Sequence, residues 1–142
     1  MPVSKASSAV QAAVYALLAG DATLGTLVDR IGDSMPEGTT VRRFLVLSVT
    51  SEVRDRRLKT GAGGNAALLL VSVASHVEDT QDRTGAKAVQ AISQRVVELL
   101  DNATLAVTGW TFVSADFVDS TAQQDGAWRS ITDDFEIFVE DT

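Results

Sequence analysis

Few residues in this chain could do chemistry, and their types and spacing argue against most of it. His76 is the only histidine and there is no cysteine, which removes thiolate metal sites, cysteine nucleophiles and disulfides together. With no second nitrogen or sulfur ligand, a catalytic zinc site is not expected. His76 alternates with the apolar face of its segment, so it reads as a hydrogen-bonded structural or surface histidine. A Ser/His/Asp triad would have to use it, yet no serine stands in a nucleophile-elbow setting. The run Thr60-Gly61-Ala62-Gly63-Gly64 has the glycine content of a phosphate loop. No Gly-Lys-Ser/Thr follows it, and it leads into a strand rather than a helix amino-terminus. It also misses the Arg/Gln-x-x-Gly-x-Gly pattern of acyl-CoA-binding acetyltransferases, because Leu58 stands where the Arg or Gln belongs. Asp133, Asp134 and Glu136 could bind a divalent cation only from one side, and strand alternation splits them between faces. A solvated acidic edge is expected there. The expectation is a protein with no catalytic residue, no cofactor and no metal.

What these residues do instead is set by the elements around them. Residues 65–77 put Ala67, Leu69, Val71, Val73 and Val77 on one side and Leu68, Leu70, Ser72 and His76 on the other. A period of two with apolar groups on both sides predicts a strand buried on one face and largely covered on the other. After Glu78 and Asp79 the period changes. Ala86, Val89, Ile92, Val96 and Leu99 recur at threes and fours, with Lys87, Gln90, Gln94, Arg95 and Glu98 opposite, one helical stripe that needs a sheet to lie on. Asp79 can accept free amides of the first turn, Asp82 adds favourable charge, and Asp101 and Asn102 close the helix. Leu47, Leu69, Val71, Ile92, Val96, Phe135 and Ile137 are expected to meet between sheet and helix.

The remaining elements follow in order. Ser7 or Ser8 can cap a helix carrying Val10, Ala13, Val14, Leu17 and Leu18, ended by Gly20. Asp21 caps a short turn with Leu24 and Leu27 inward. Residues 28–31 read as a short edge strand, and residues 33–40, with Pro36 and Gly38, as a loop. Residues 43–53 read as a strand with Leu45, Leu47, Val49, Ser51 and Val53 on one face. Residues 54–64 form a long, mobile, basic and glycine-rich hairpin loop. Residues 105–107 and 110–117 flank a Thr108-Gly109 turn, and residues 123–126 make the next. Ile131, Phe135, Ile137 and Val139 then point inward, with Thr132, Asp134, Glu136 and Glu140 outward. The predicted order is α(α)-β-β-α-β-β. The fold class is α+β, a four-stranded mainly antiparallel sheet with helices on one face, and residues 1–142 form one domain with 1–7 flexible.

Composition bounds the function. A chain of 142 residues with 45% hydrophobic and 22% charged residues has ordinary globular usage and enough length for a real core. Its apolar runs fall far short of the ~20 residues that span a bilayer, and no secretion signal is evident. A soluble, intracellular product is expected. The net charge of −7 is asymmetric. Residues 42–59 hold six of the twelve basic residues, Arg42, Arg43, Arg54, Arg56, Arg57 and Lys59, against Glu52 and Asp55. That segment is +4 and the remainder −11. So acidic a body repels nucleic acid, while the basic segment could touch phosphate, meet the acidic surface of another copy, or stay solvated without a partner.

A family resemblance adds to this reading. The run Ala12-Ala13-Val14-Tyr15-Ala16-Leu17-Leu18-Ala19-Gly20-Asp21-Ala22-Thr23-Leu24 resembles the opening of siphophage-type tail terminator (tail completion) proteins, which also occur in prophages and gene transfer agents. The Pro36-Glu37-Gly38 loop, Thr50-Ser51-Glu52, the Lys59-Thr60-Gly61 loop, the strand and helix through residue 100, and Leu105-Ala106-Val107-Thr108-Gly109-Trp110 continue the same order. The resemblance runs over roughly residues 8–140 and rests on order and spacing. It implies a structural virion protein: a ring, six-membered in the family, that caps the head-proximal end of the tail tube, ends tube growth and offers the head-joining surface. The partners it implies are copies of itself, the tail tube protein and a head–tail connector or stopper, with DNA passing through unbound and no membrane. Its place would be the virion tail, after assembly in the bacterial host cytoplasm. Arg54, Arg56, Arg57 and Lys59 are the candidate interface residues toward a sister subunit or the tube. The alternatives are another connector or tail-tube subunit, or a small-molecule binding module using the sheet face.

Overall fold

The computed structural model describes residues 6–33, 41–55, 66–79 and 85–141. In chain order the elements are α1 (Ser7–Ala19), α2 (Ala22–Leu27), β1 (Arg30–Gly32), β2 (Arg43–Asp55), β3 (Ala66–Glu78), α3 (Gly85–Leu100), β4 (Trp110–Asp125) and β5 (Trp128–Asp141). The sheet has five strands in the order β1-β2-β3-β5-β4. All neighbours are antiparallel except β1, which lies parallel to β2. The α+β class and the helices on one face agree with the sequence reading, but the sheet is mixed and has one strand more. Residues 30–32 do form the edge strand, and three residues are too short to show a period from which pairing could be read.

β3 is the middle strand, bonded on both sides, and Ala67, Leu69, Val71, Val73 and Val77 along it are buried. Leu69 lies between Glu52 and Ile137, and Val71 between Val49 and Phe135. Onto this row α3 lays Val89, Ile92, Val96 and Leu100, while α1 buries Val10, Val14 and Leu18 in the same core beside β1 and β2. All seven residues expected to meet in the core are buried at 1% exposure or less and belong to one cluster.

Three β-bulges decide which side chains reach that cluster. Pairing along β2 slips at Thr50, so that Glu52 and not Ser51 or Val53 stands beside Leu69 on the helix face. The expected placing of Ser51 and Val53 with Leu45 is therefore reversed, and Val53 is 56% exposed. One extra residue flips every later side chain in a strand. Glu52 then takes over the role assigned to Ser7 or Ser8: its Oε1 accepts from the Ser7 amide at 2.8 Å and from the Ser7 hydroxyl. Ala6 occupies the cap position without a side-chain cap, and a carboxylate beside the free amides of α1 suits the helix dipole. In β4 the slips fall at Val113 and Val118, so Phe112, Ala115, Phe117 and Ser120 in turn stand opposite Val139, Ile137, Phe135 and Asp133. Side chains along β4 therefore do not alternate simply between the two faces.

Several boundaries move. The segment 105–107 is not a strand; Leu105 and Val107 are buried in a connection closed by Trp110 N–H donating to Val107 O at 3.1 Å. β2 runs through Asp55, so the first two residues of the expected 54–64 loop are strand, and Ser7, expected to be flexible, starts α1. The turn expected at 123–126 narrows to Gly126 and Ala127, with Gly126 at φ +59°, where glycine is favoured. α3 starts at Gly85, and Asp79 Oδ1 accepts its N–H at 2.9 Å, as the sequence suggested for Asp79. A Cβ at Gly85 would lie 2.8 Å from that same oxygen, so only glycine leaves room for the contact. Asp82 lies outside the described residues.

Asp21 joins α2 to α3. It accepts from the Leu24 amide at 2.8 Å and takes both arms of Arg95, at 2.9 and 2.7 Å. The Arg95 hydrogen bonds, then the Leu24 amide, hold its carboxyl at about 2 against an ordinary 3.8. A carboxyl depressed in the folded state contributes stability that is intact above pH 3.8 and is lost as pH falls toward 2. Asp21→Asn should flatten the acid limb of the melting temperature below pH 4 and lower the midpoint at pH 7, read by circular dichroism across pH. In the core, Ile92→Ala should lower the unfolding free energy by about 2–4 kcal/mol through lost burial and a cavity, while Gln90→Ala on the exposed face changes it by less than about 0.5 kcal/mol; urea denaturation of the two variants compares them directly.

Candidate assembly surface

The sheet has one covered and one bare face. Opposite the helices, β3 presents Leu68, Leu70, Ser72 and His76, and β5 presents Trp128, Asp134, Glu136 and Phe138. No described helix covers this side. At its end near the β4–β5 turn, Phe44 is buried beneath the His76 ring, stacked at 4.8 Å and 16°, with Trp128 edge-on at 5.5 Å. Burial pushes the His76 pKa down. The histidine is thus a structural ring held by stacking, where the sequence reading expected a hydrogen-bonded structural or surface one.

The carboxylates split as the alternation required. Asp133 faces the helices and is fully buried, where its two oxygens accept from Ser93 Oγ of α3 at 2.7 Å and Ser120 Oγ of β4 at 2.5 Å. Asp134 and Glu136 face the bare side, Asp134 taking the Ser72 hydroxyl at 2.6 Å. Among the described residues no group of three or more His, Cys, Asp or Glu is arranged to hold a metal ion, and no helix is long and apolar enough to cross a membrane. A cleft of about 720 Å³ lies between α1 and β1, lined by Ser8, Gln11, Tyr15, Ile31, Asp33 and Leu47, without convergent charged groups of the kind a small-molecule site needs.

The sequence-predicted interface residues divide between strand and undescribed chain. Arg54 is the last residue but one of β2, and Arg56, Arg57 and Lys59 lie outside the described residues. Within the same basic segment Arg42 is exposed, and Arg43 is half-buried at the start of β2. Their backbone amides donate to Asp29 Oδ2 at 3.3 and 3.2 Å.

Sequence reasoning missed the far edge of the sheet. β4 is an outer strand, paired on one side by β5. Along its other side Asn102 N–H donates to Ala115 O at 2.8 Å and Asp101 Oδ1 accepts from Phe117 N–H at 3.0 Å. Beyond Phe117 no other described element takes over, Ser120 N–H turning to Asp119 Oδ1 at 2.7 Å, and every residue from Asp116 to Gly126 is exposed. Val113, Phe117 and Val118 are 47%, 39% and 49% exposed, two of them the bulged residues. On the bare face Asp116 stands opposite Glu136 and Asp119 opposite Asp134. Like charges directly across an antiparallel pair are unfavourable, and no ion pair among the described residues relieves them.

Comparison with known proteins decides between the readings. The model of the family described as "Tail completion protein gp17" matches residues 12–140. The chain belongs to that family. It is a structural phage tail protein, not an enzyme. No curated protein matches it. Among solved structures, a chain from "Virion of native gene transfer agent (GTA) particle" superposes with a TM-score of 0.75 at 24% identity, over 94% of this chain and 96% of that one. A second solved chain gives a TM-score of 0.54 at 12% identity, over 95% of this chain and 94% of that one. At these identities both likenesses speak to the fold.

Within this tail completion protein Asp133 is a fully buried carboxyl. Burial raises its pKa, opposed by the Ser120 and Ser93 hydroxyls and aided by the charge of Asp134. A carboxyl raised in the folded state binds its proton more tightly there, so its contribution weakens stability as pH climbs from 3.8 through the folded pKa. Asp133→Asn keeps the volume, and the two hydroxyls can rotate to suit an amide. The variant should melt at least as high as wild type at pH 8 and lose that advantage by pH 4. A variant melting lower at both pH values would show that the ionised carboxylate stabilises α3 on β4.

Proposed function

We propose that this protein caps the head-proximal end of a phage tail tube as a ring, six-membered as the family resemblance implies, ending tube growth and presenting the surface to which the head connector joins. The carrying observation is the family match over residues 12–140, which makes the chain a tail completion protein. A chain of the same fold is part of the virion of a gene transfer agent particle, which supports a place in the virion tail among other tail and head proteins. The acidic body, −11 outside residues 42–59, suits a passage through which DNA moves without adhering, because like charge prevents contact.

In this reading the +4 segment that contains Arg54, Arg56, Arg57 and Lys59 meets acidic surface on the next subunit or on the tube. Rim charge pairs are individually weak, ~0–1 kcal/mol, so several act together and the contact loosens with salt. Replacing Arg54, Arg56 and Arg57 by Glu should leave the chain folded, since the buried cluster lies elsewhere, but should cut the yield of capped tails. Complementation scored by electron microscopy reads this as tails of irregular length or tails without heads. Normal tails and full infectivity from the triple variant would reject the charge-mediated contact. Failure of the wild-type protein to associate with tail tubes would reject the capping role itself.

A further inference from the structure

We infer that the outer arm of the β4–β5 hairpin, residues 116–125 with Asp134 and Glu136 beside them, is the seat for the basic β2 side of a second copy of this chain. The inference rests on the ring reading above and names the acidic half of its contact.

The arm has the properties of half an interface. It is exposed on both faces from Asp116 onward, its outer backbone edge is uncovered past Phe117, and Phe117 and Val118 remain 39% and 49% exposed. A long edge strand with exposed apolar groups is a template for association. Yet the bulge at Val118 and the carboxylates Asp116 and Asp119 are also features that deter indiscriminate strand pairing. The two requirements meet in an occupant that brings positive charge. Asp116 with Glu136, and Asp119 with Asp134, are like-charge pairs without a cation among the described residues. A basic neighbour would therefore relieve repulsion as well as gain attraction.

The chain carries that occupant on its opposite side. β1 covers β2 only at Phe44–Val46, so from Leu47 to Asp55 no described strand lies against the outer side of β2. Arg43 begins β2 directly after Arg42, and Arg54 stands beside its last residue, Asp55. Arg42 is exposed and forms no ion pair among the described residues. Acidic arm and basic edge thus stand at opposite ends of one sheet. Such a contact is heterologous, the same two patches repeated head to tail, and it closes into a ring when the rotation allows.

Charge exchange tests it. One variant carries Asp116→Lys and Asp119→Lys, the other Arg42→Glu and Arg54→Glu, each with wild-type circular dichroism as the folding control. Association is measured by native mass spectrometry and sedimentation at low salt. Each variant alone should associate at least about tenfold more weakly than wild type, and an equimolar mixture should recover assemblies in which the two chains alternate. If wild type assembles and the Asp116/Asp119 variant assembles equally well, the arm is not the seat and the inference falls while the ring reading stands. If both variants are weakened but their mixture recovers nothing, the two surfaces do not face each other and the inference also falls. Wild type remaining monomeric, alone and on tail tubes, would overturn the ring reading and the inference with it.

Discussion

Side-chain parity along three long strands is the constraint on which the rest of this structure depends. A strand offers alternate residues to its two faces, and only one face here is covered by helices. An extra residue therefore does more than kink the chain: it exchanges everything beyond it between core and solvent. At Thr50 the exchange takes Val53 out of the core and brings Glu52 to the amino-terminus of α1. At Val113 and Val118 it keeps Ala115 and Phe117, then Ser120, over β5 despite the length of β4. β3, with no slip of its own against β5, is the reference against which the others are set.

The polar contacts fix how the helices sit on that sheet. Asp79 directly follows β3, accepts from the first amide of α3, and pairs with Arg129 of β5 at 3.2 Å. Its own amide donates to Ala127 O in the hairpin turn. One carboxylate therefore ties the start of the main helix to two strands and the turn. At the other end of the layer Asp21 and Arg95 join α2 to α3 through a two-armed pair, a geometry that specifies orientation as well as adding attraction. Asp133, between Ser93 and Ser120, links α3 to the middle of β4. Past that point β4 leaves the helix layer and becomes the exposed arm.

This arrangement suits a protein that works by contact rather than catalysis. The covered face supplies a rigid body. The bare face and the two sheet edges supply surface, and charge is distributed unevenly between those edges. Exposed apolar groups at the bulges and opposed carboxylates on β4 and β5 carry a cost in a lone subunit. Such features persist where association is the function.

Sequence alone determined the central pieces. The period of two through residues 66–78 and of three to four through 85–100 made β3 and α3 legible, because apolar spacing reflects which face is buried. The same spacing named the seven core residues, placed His76 off the covered face, and split Asp133 from Asp134. The tail completion resemblance was also readable, from the order and spacing of short motifs. A short edge strand at 28–31 was readable too; its parallel pairing with β2 was not, because three residues carry no period and their partner is chosen by the path of the chain. Nor were the bulges, since an unpaired residue is defined by its neighbour across the ladder, which no linear pattern contains. With the bulges hidden, so were the Glu52 cap and the exposed arm. Residue types announced a basic segment, but the acidic surface opposite it exists only once β4 and β5 set Asp116 against Glu136 and Asp119 against Asp134. Charge becomes a surface through pairing, and pairing is a property of the tertiary structure.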